Sequence, residues 1–361
     1  MKKYFNSLSF FRILAFLSVF MLHVSCYRVT TIPSDAAWAV DFFFLISGFL
    51  YGYKFFDEEI SYKDVKKFML GKIKKLYPIY LLMIFLFLPW GGLTHLKTCL
   101  TEFLVKFLLC ISMTQSFAIN LNYSYAFNSP TWFISTFMFL MLVTIPLCII
   151  YKKIIKNRIS GMIAIVILFL LNVIYVNIIR SINVPLTTFL YVFPTCRIFE
   201  FSIAIIFGFI MKMSDNDIKK LRDKKWMFTF LEFLTILILL FSLKKLPSLF
   251  PKYYNTLIWV IPNLLIFAVF SCDSGYLSKF LGNKIFVYLG NLTFPAYIVH
   301  QYVFLNYYTI PGINDFMGTK NKIISFSYIL FICFLLASII DKIDFNNYLK
   351  DLKKLVKTKN K

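Results

Sequence analysis

Acidic residues are scarce in this sequence, and so is charge of any kind. Of 361 residues only 17 are Asp or Glu, and Asp, Glu, Lys and Arg together make up 16%. Hydrophobic residues account for 59% and aromatic ones for 20%, against about 45–50% apolar in soluble domains. A soluble fold has too little polar surface to hide that much apolar side chain. Cysteine patterning is missing as well. Cys26, Cys99, Cys110, Cys148, Cys196, Cys272 and Cys333 stand singly with no CxxC pair, which argues against a disulfide framework and a zinc site. No GxxxxGK[ST], GxGxxG or HExxH occurs, so nucleotide hydrolysis, dinucleotide redox chemistry and zinc-peptidase chemistry have no support. No Pro/Ser-rich linker, low-complexity tract or repeat divides the chain.

What is abundant is basic charge between apolar runs. Lys and Arg number 39, giving a net charge of +22. Their clusters lie between apolar stretches, which points to anionic headgroups and cytoplasmic loops and away from nucleic acid. A crossing helix needs about 20 mostly apolar residues. Runs of that kind cover 7–27, 37–54, 76–92, 131–151, 160–179, 195–211, 227–243, 254–271, 285–307 and 323–341. The first carries Arg12 and His23 and is followed by no small-residue cleavage site, so it reads as a retained span, not a signal peptide. An eleventh run, 99–119, holds Glu102 and Lys106 one turn apart and reads as interfacial or re-entrant. With ten spans and a cytoplasmic N-terminus, 28 basic residues fall inside and 9 outside, the bias expected of the correct topology. The expected fold is an all-α integral membrane protein of about ten transmembrane helices. Both termini are cytoplasmic and no separate soluble domain is expected, with a membrane domain over 1–341. Residues 342–361 place Phe345, Tyr348, Leu349, Leu352 and Val356 among lysines at helical spacing, as in a basic amphipathic helix on the inner leaflet.

Ionisable groups inside spans are costly and therefore candidates for function. Arg12 and His23 are eleven residues apart; at about 100° and 1.5 Å per residue they share a helix face about 16 Å apart along the axis. The same face would present a cation inward and an imidazole outward. Snorkelling of Arg12 and a buried hydrogen bond for His23 are the alternatives. The topology brings Asp41, Trp132, Arg197, Glu200, Tyr297 and His300 toward the His23 side. Asp41 could orient or charge-stabilise His23; Arg197 and Glu200, at i and i+3, could simply pair. Trp132 and Tyr297 could be interface aromatics. On the inner side Lys72, Lys74 and Lys75 satisfy the positive-inside rule, and beside Arg12 they could bind the phosphates of an anionic cofactor. No metal site is indicated.

These residues resemble the membrane acyltransferase-3 proteins that acylate sugars of bacterial envelopes. Arg12 and His23 match that family's Arg, ten residues, His pattern, and VDFFFLISGFL at 40–50 is similar to its FFxxSGF element. KIKKLYPIY resembles its RxxR segment before Tyr-Pro, with Lys72 and Lys75 in place of both arginines. PTWFIS, CRIFEFSIAIIFGF and YLGNLTFPAYIVHQ resemble its later elements in order, but STFMFLML lacks the glutamate pair many relatives carry after the tryptophan. The resemblance implies an O-acyltransferase of the bacterial plasma membrane. Its donor would be cytoplasmic acetyl-CoA or another acyl-CoA, and its acceptor an envelope polysaccharide or lipid-linked sugar. Arg12, Lys72 and Lys75 would bind CoA phosphates. His23, assisted by Asp41, would act as general base or briefly accept the acyl group. Trp132, Arg197, Glu200, Tyr297 and His300 would serve the acceptor. No cofactor would be held permanently. The rival reading is a transporter or flippase for a lipid-linked saccharide, which would also place polar groups at depth.

Overall fold

A computed structural model describes residues 5–26, 36–88, 99–309 and 322–343, and among them every regular element is helical. The main helices are α1 (Leu8–Cys26), α2 (Ala37–Phe55), α3 (Asp64–Phe87), α4 (Leu100–Ile111), α5 (Trp132–Ile154) and α6 (Arg158–Ser181). They are followed by α7 (Pro194–Met213), α8 (Lys225–Leu249), α9 (Val260–Phe270), α10 (Lys284–Thr309) and α11 (Lys322–Lys342). Local signals explain several starts. Asn157 and Ser160 cap α6 reciprocally, each side chain accepting the other's backbone N–H, a capping box. Pro194 opens α7 at its first position, where the missing N–H costs nothing.

Apolar side chains point outward over long stretches. On α6, Ile159, Met162, Val166, Leu170, Ile174 and Ile178 are each more than half exposed, and on α8 so are Phe230, Phe233 and Leu237. Soluble monomers rarely display apolar faces of that extent, and over helices of this length such faces are surfaces for lipid. Ser129–Ile154, Arg158–Ser181, Thr188–Met213, Lys225–Leu249 and Ile324–Lys342 are long and apolar enough to cross a membrane by length and composition. This is a multi-helix membrane protein.

Three stretches depart from simple runs. α3 begins at Asp64, well before the apolar run at 76, so Lys72, Lys74 and Lys75 belong to the helix and not to a loop. The continuous helix expected over 254–271 is corrected: 3₁₀ turns occupy Pro251–Tyr253 and Leu257–Trp259, and the α-helix starts only at Val260. Pro262 has no N–H to give a preceding turn, so the helix begins within one turn of it. α4, with 12 residues, is about 18 Å long, too short for the roughly 30 Å hydrocarbon core. The chain then turns at Met113 (φ 56°) and folds back on the start of α5. There Gln115 Nε2 donates to Thr131 O at 3.2 Å, and Ser116 and Ser135 hydroxyls meet at 2.6 Å. Lys106 and Glu102 of α4 pair at 2.7 Å. The amphipathic segment expected after Asp341 lies, from residue 344 on, outside the described residues.

The closest packing joins α2 to α7. A methyl group added to Gly52 would stand 2.1 Å from Ile205 O, one at Gly208 2.4 Å from Phe49 O, and one at Gly48 2.7 Å from Phe201 O. Only backbone fits there, as at small-residue contacts between membrane helices. α1 lies against both α2 and α10, and α10 lies against α3 and α11, so the N-terminal helix is central. Gly52→Ala and Gly208→Ala should therefore lower folded yield and thermal midpoint in fluorescence size-exclusion of a tagged protein. Overpacking should cost about 1–3 kcal/mol in spite of alanine's better helix propensity. Gly71→Ala, which meets nothing within 4 Å, should behave as wild type.

Candidate active site

A cavity of about 290 Å³ gathers the basic side chains of one end of the bundle. Arg12 reaches it from α1, and Lys72 and Lys75 from adjacent turns of α3. Ser47 of α2, Asn291 of α10 and Asp341 of α11 also line it. The Lys72 ammonium donates to Tyr51 Oη and lies 4.7 Å from the centre of the Tyr51 ring and 5.2 Å from that of Phe68. Lys72 stands ahead of the apolar run 76–92. Burial lowers its pKa to about 8, and the neighbouring charges of Lys75 and Lys54 push the same way. Apolar side chains, Phe43, Phe133 and Phe137 among them, also line the cavity. A larger cavity of about 630 Å³ between α6, α8 and α9 is lined almost wholly by apolar groups such as Phe169, Phe241 and Ile261. Its only polar side chains are the hydroxyls of Ser242 and Tyr253, and no charged group or histidine lines it.

At the other end of α1, His23 meets His300 of α10, Nδ1 to Nε2, at 2.6 Å. The ring planes are parallel within 1° and the centroids 4.8 Å apart. That separation, with nitrogens in contact, is the geometry of two coplanar imidazoles joined edge to edge, not of face-to-face stacking. His300 is fully buried, and its Nδ1 meets the Tyr297 carbonyl one turn earlier. The Tyr297 hydroxyl donates to Pro130 O at 2.7 Å, and its ring lies 5.4 Å from that of Phe133. Phe133 thus faces the basic cavity and touches the residue that holds His300.

A second polar group is buried between α2 and α7. Arg197 Nη1 donates to Asp41 Oδ1 at 2.5 Å and Glu200 Oε2 at 3.1 Å, and Nε donates to Tyr191 O at 3.1 Å. All three charged side chains have no exposed surface. The guanidinium lies 5.1 Å from the Tyr191 ring and 5.4 Å from that of Phe44. Trp132 packs 5.0 Å from Tyr191.

The structure therefore brings Arg12, Lys72 and Lys75 together as the sequence suggests, but distributes the remaining polar residues differently. The partner found for His23 is His300, and the partner found for Asp41 is Arg197. The proposed orientation of His23 by Asp41 gives way to a histidine pair. Arg197 and Glu200 do pair with each other, and Trp132 and Tyr297 are both anchored in packing. Tyr51 and Tyr191 were not anticipated. Tyr191 lies in a π-helical turn, Thr188–Val192, just before α7, and no spacing in the sequence marks it.

Buried opposite charges that lose a partner are strongly destabilising. Arg197→Gln should cost about 3–5 kcal/mol and nearly abolish folded protein. Combining it with Asp41→Asn and Glu200→Gln should restore much of the folded yield, read by size-exclusion and thermal melting. A single Arg197→Gln protein that melts like wild type would show that the cluster does not hold the bundle together.

Against this geometry, comparison with known proteins adds one decisive finding. A sequence model for a family described as an acyltransferase domain, acyltransferase-3, matches residues 5–341. No curated protein and no solved structure matches the chain. The matched region contains α1 to α10, the basic cavity, the histidine pair and the Arg197 cluster, and it ends at Asp341 within α11. The chain belongs to the acyltransferase-3 family and is a membrane acyltransferase that transfers groups other than aminoacyl groups.

Proposed function

We propose that this enzyme moves an acyl group, acetyl in our reading, from cytoplasmic acyl-CoA to a hydroxyl of a cell-surface or lipid-linked carbohydrate. Its setting would be the bacterial plasma membrane, with ten spans and both termini in the cytoplasm, as the bias of 28 basic residues inside to 9 outside supports. The observation that carries the proposal is the basic cavity. Three cations from two helices converge on one concave space whose apolar wall, at Phe133, adjoins the support of the histidine pair. Arg12 offers a planar fork for phosphate oxygens, and Lys72 and Lys75 offer point charges. Ser47 and Asn291 add neutral hydrogen-bonding groups for the pantetheine amides. His23 lies about 16 Å along α1 from Arg12, a distance an extended acyl-pantetheine arm spans.

In the transfer, the acceptor hydroxyl gives its proton to His23 while its oxygen attacks the thioester carbonyl carbon. The carbon–sulfur bond then breaks, and the proton passes from His23 to the departing CoA sulfur. One ester is made, one thioester is consumed, and the enzyme ends as it began. Arg197, Glu200 and Asp41 keep α2 and α7 in place beneath this chemistry, with Trp132 and Tyr297 forming the aromatic shelf on the acceptor side.

The two ends of the site should fail differently. With purified protein, labelled acetyl-CoA and envelope glycans, Arg12→Gln or Lys72→Gln/Lys75→Gln should mainly raise the KM for acyl-CoA. Loss of a charged phosphate contact, about 1.5–3 kcal/mol, corresponds to roughly ten- to a hundred-fold. His23→Ala should instead lower kcat by about 10²- to 10⁴-fold. Inner-cluster variants that fold well and keep normal donor affinity while losing turnover would refute the donor-site assignment.

The pH response of donor capture follows from Lys72. Its charge is lost at about pH 8, not in the usual lysine range. The value of kcat/KM for acyl-CoA, which reports the free enzyme, should therefore fall as pH rises through about 8. Lys72→Arg, charged throughout, should flatten that limb. An unchanged limb in the arginine variant would remove Lys72 as its source.

A further inference from the structure

We infer that His300 is the positioning residue that fixes which nitrogen of His23 receives the acceptor proton, and that this nitrogen is Nε2. The inference rests on the reading of His23 as general base.

The protons can be counted outward from one carbonyl. Tyr297 O can only accept, so the nitrogen facing it, His300 Nδ1, carries a hydrogen. A neutral imidazole has one N–H, which leaves His300 Nε2 with a lone pair. His300 Nε2 faces His23 Nδ1 at 2.6 Å, a distance at which a hydrogen must lie between the two nitrogens. That hydrogen belongs to His23 Nδ1. By the same rule the lone pair of His23 is then on Nε2, on the side of the ring away from His300. One backbone carbonyl thus sets two tautomers in sequence.

The local packing holds both rings to this arrangement. His300 has no exposed surface. The rings of Phe16 and Phe304 stand nearly perpendicular to it, at 86° and 88°, with centroids 6.4 and 5.7 Å away. The coplanarity of the two imidazoles keeps Nδ1–H of His23 pointed along the acceptor lone pair. Proton uptake at Nε2 makes His23 doubly protonated and leaves the Nδ1–H to Nε2 bond intact. The base therefore charges and discharges without any heavy atom moving, which is the preorganisation a general base requires. The motif is the positional counterpart of an imidazole oriented by a carboxylate, with a neutral ring in the carboxylate's place.

The chain has three histidines, so ¹⁵N-histidine labelling of the purified protein in bilayers gives a spectrum assignable by single replacements. His23 and His300 should both appear as the Nδ1–H tautomer, the minor form of free neutral imidazole. In His300→Gln the side-chain carbonyl can accept from His23 Nδ1, so the His23 tautomer should persist. In His300→Ala a large part of it should revert to Nε2–H. Turnover should follow. His300→Ala should lose about 10²- to 10⁴-fold in kcat, with both KM values within about two-fold, and His300→Gln should recover at least about ten-fold of that loss. A wild-type spectrum with the proton on His23 Nε2 overturns the inference. So does a His300→Ala enzyme with normal kcat and a raised KM for the acceptor, which would make His300 a sugar-binding residue. Should the alanine variant fail to fold, the wild-type tautomer and the glutamine variant still decide. The two readings fail separately. Normal turnover in His23→Ala removes the base itself, whereas an inactive His23→Ala with the wrong wild-type tautomer removes only the role of His300.

Discussion

Where α2 meets α7, no side chain separates the two backbones. Gly48, Gly52 and Gly208 leave space for main chain alone, and in a bilayer such contact supplies the packing that apolar burial cannot, because lipid is as apolar as the core. Much of the site depends on this seam. It fixes the depth of α2 against α7, and so sets Asp41 within 2.5 Å of Arg197. It also fixes the rotation of α2, which turns Ser47 toward the basic cavity and Tyr51 toward Lys72. α1 lies on the same helix, so Arg12 inherits its position from a contact it does not make.

Much of this arrangement was legible in the sequence because it follows from periodicity within single helices. Eleven residues return to one face, so Arg12 and His23 could be read as sharing α1. Three residues make neighbours, so the Arg197–Glu200 pair and the Lys72–Lys75 pair could be read from spacing. Pairing between helices was less legible. Asp41, His23, Arg197 and His300 were all expected near one another, but which carboxylate meets which base depends on helix rotation, and spacing along one helix does not fix rotation against another. The histidine pair joins residues 277 apart. The break before α9 was hidden for a different reason. The run 254–271 is mostly apolar and carries no charge, so hydropathy is blind to the effect of Pro262 on the preceding turn.

Two unlike polar environments lie toward the two ends of α1. The basic cavity combines three cationic side chains, Arg12, Lys72 and Lys75, with a largely apolar lining. The histidine pair is closed in by aromatic rings, and one backbone carbonyl faces Nδ1 of His300. Phe133 belongs to both, lining the cavity while touching Tyr297. The basic cavity and the support of His300 therefore share a wall.

The two halves of the buried contact between Asp41 and Arg197 are made at different times. The two residues are 156 positions apart, so at about 5–20 residues per second the carboxylate leaves the ribosome about 8–30 seconds before its partner. An aspartate at the centre of an inserting helix costs about 2.5–3.5 kcal/mol. Asp41 lies near the start of α2, where a shift of the helix can leave it among headgroups and water. The ion pair that joins the second helix to the seventh therefore cannot form until the seventh has been made.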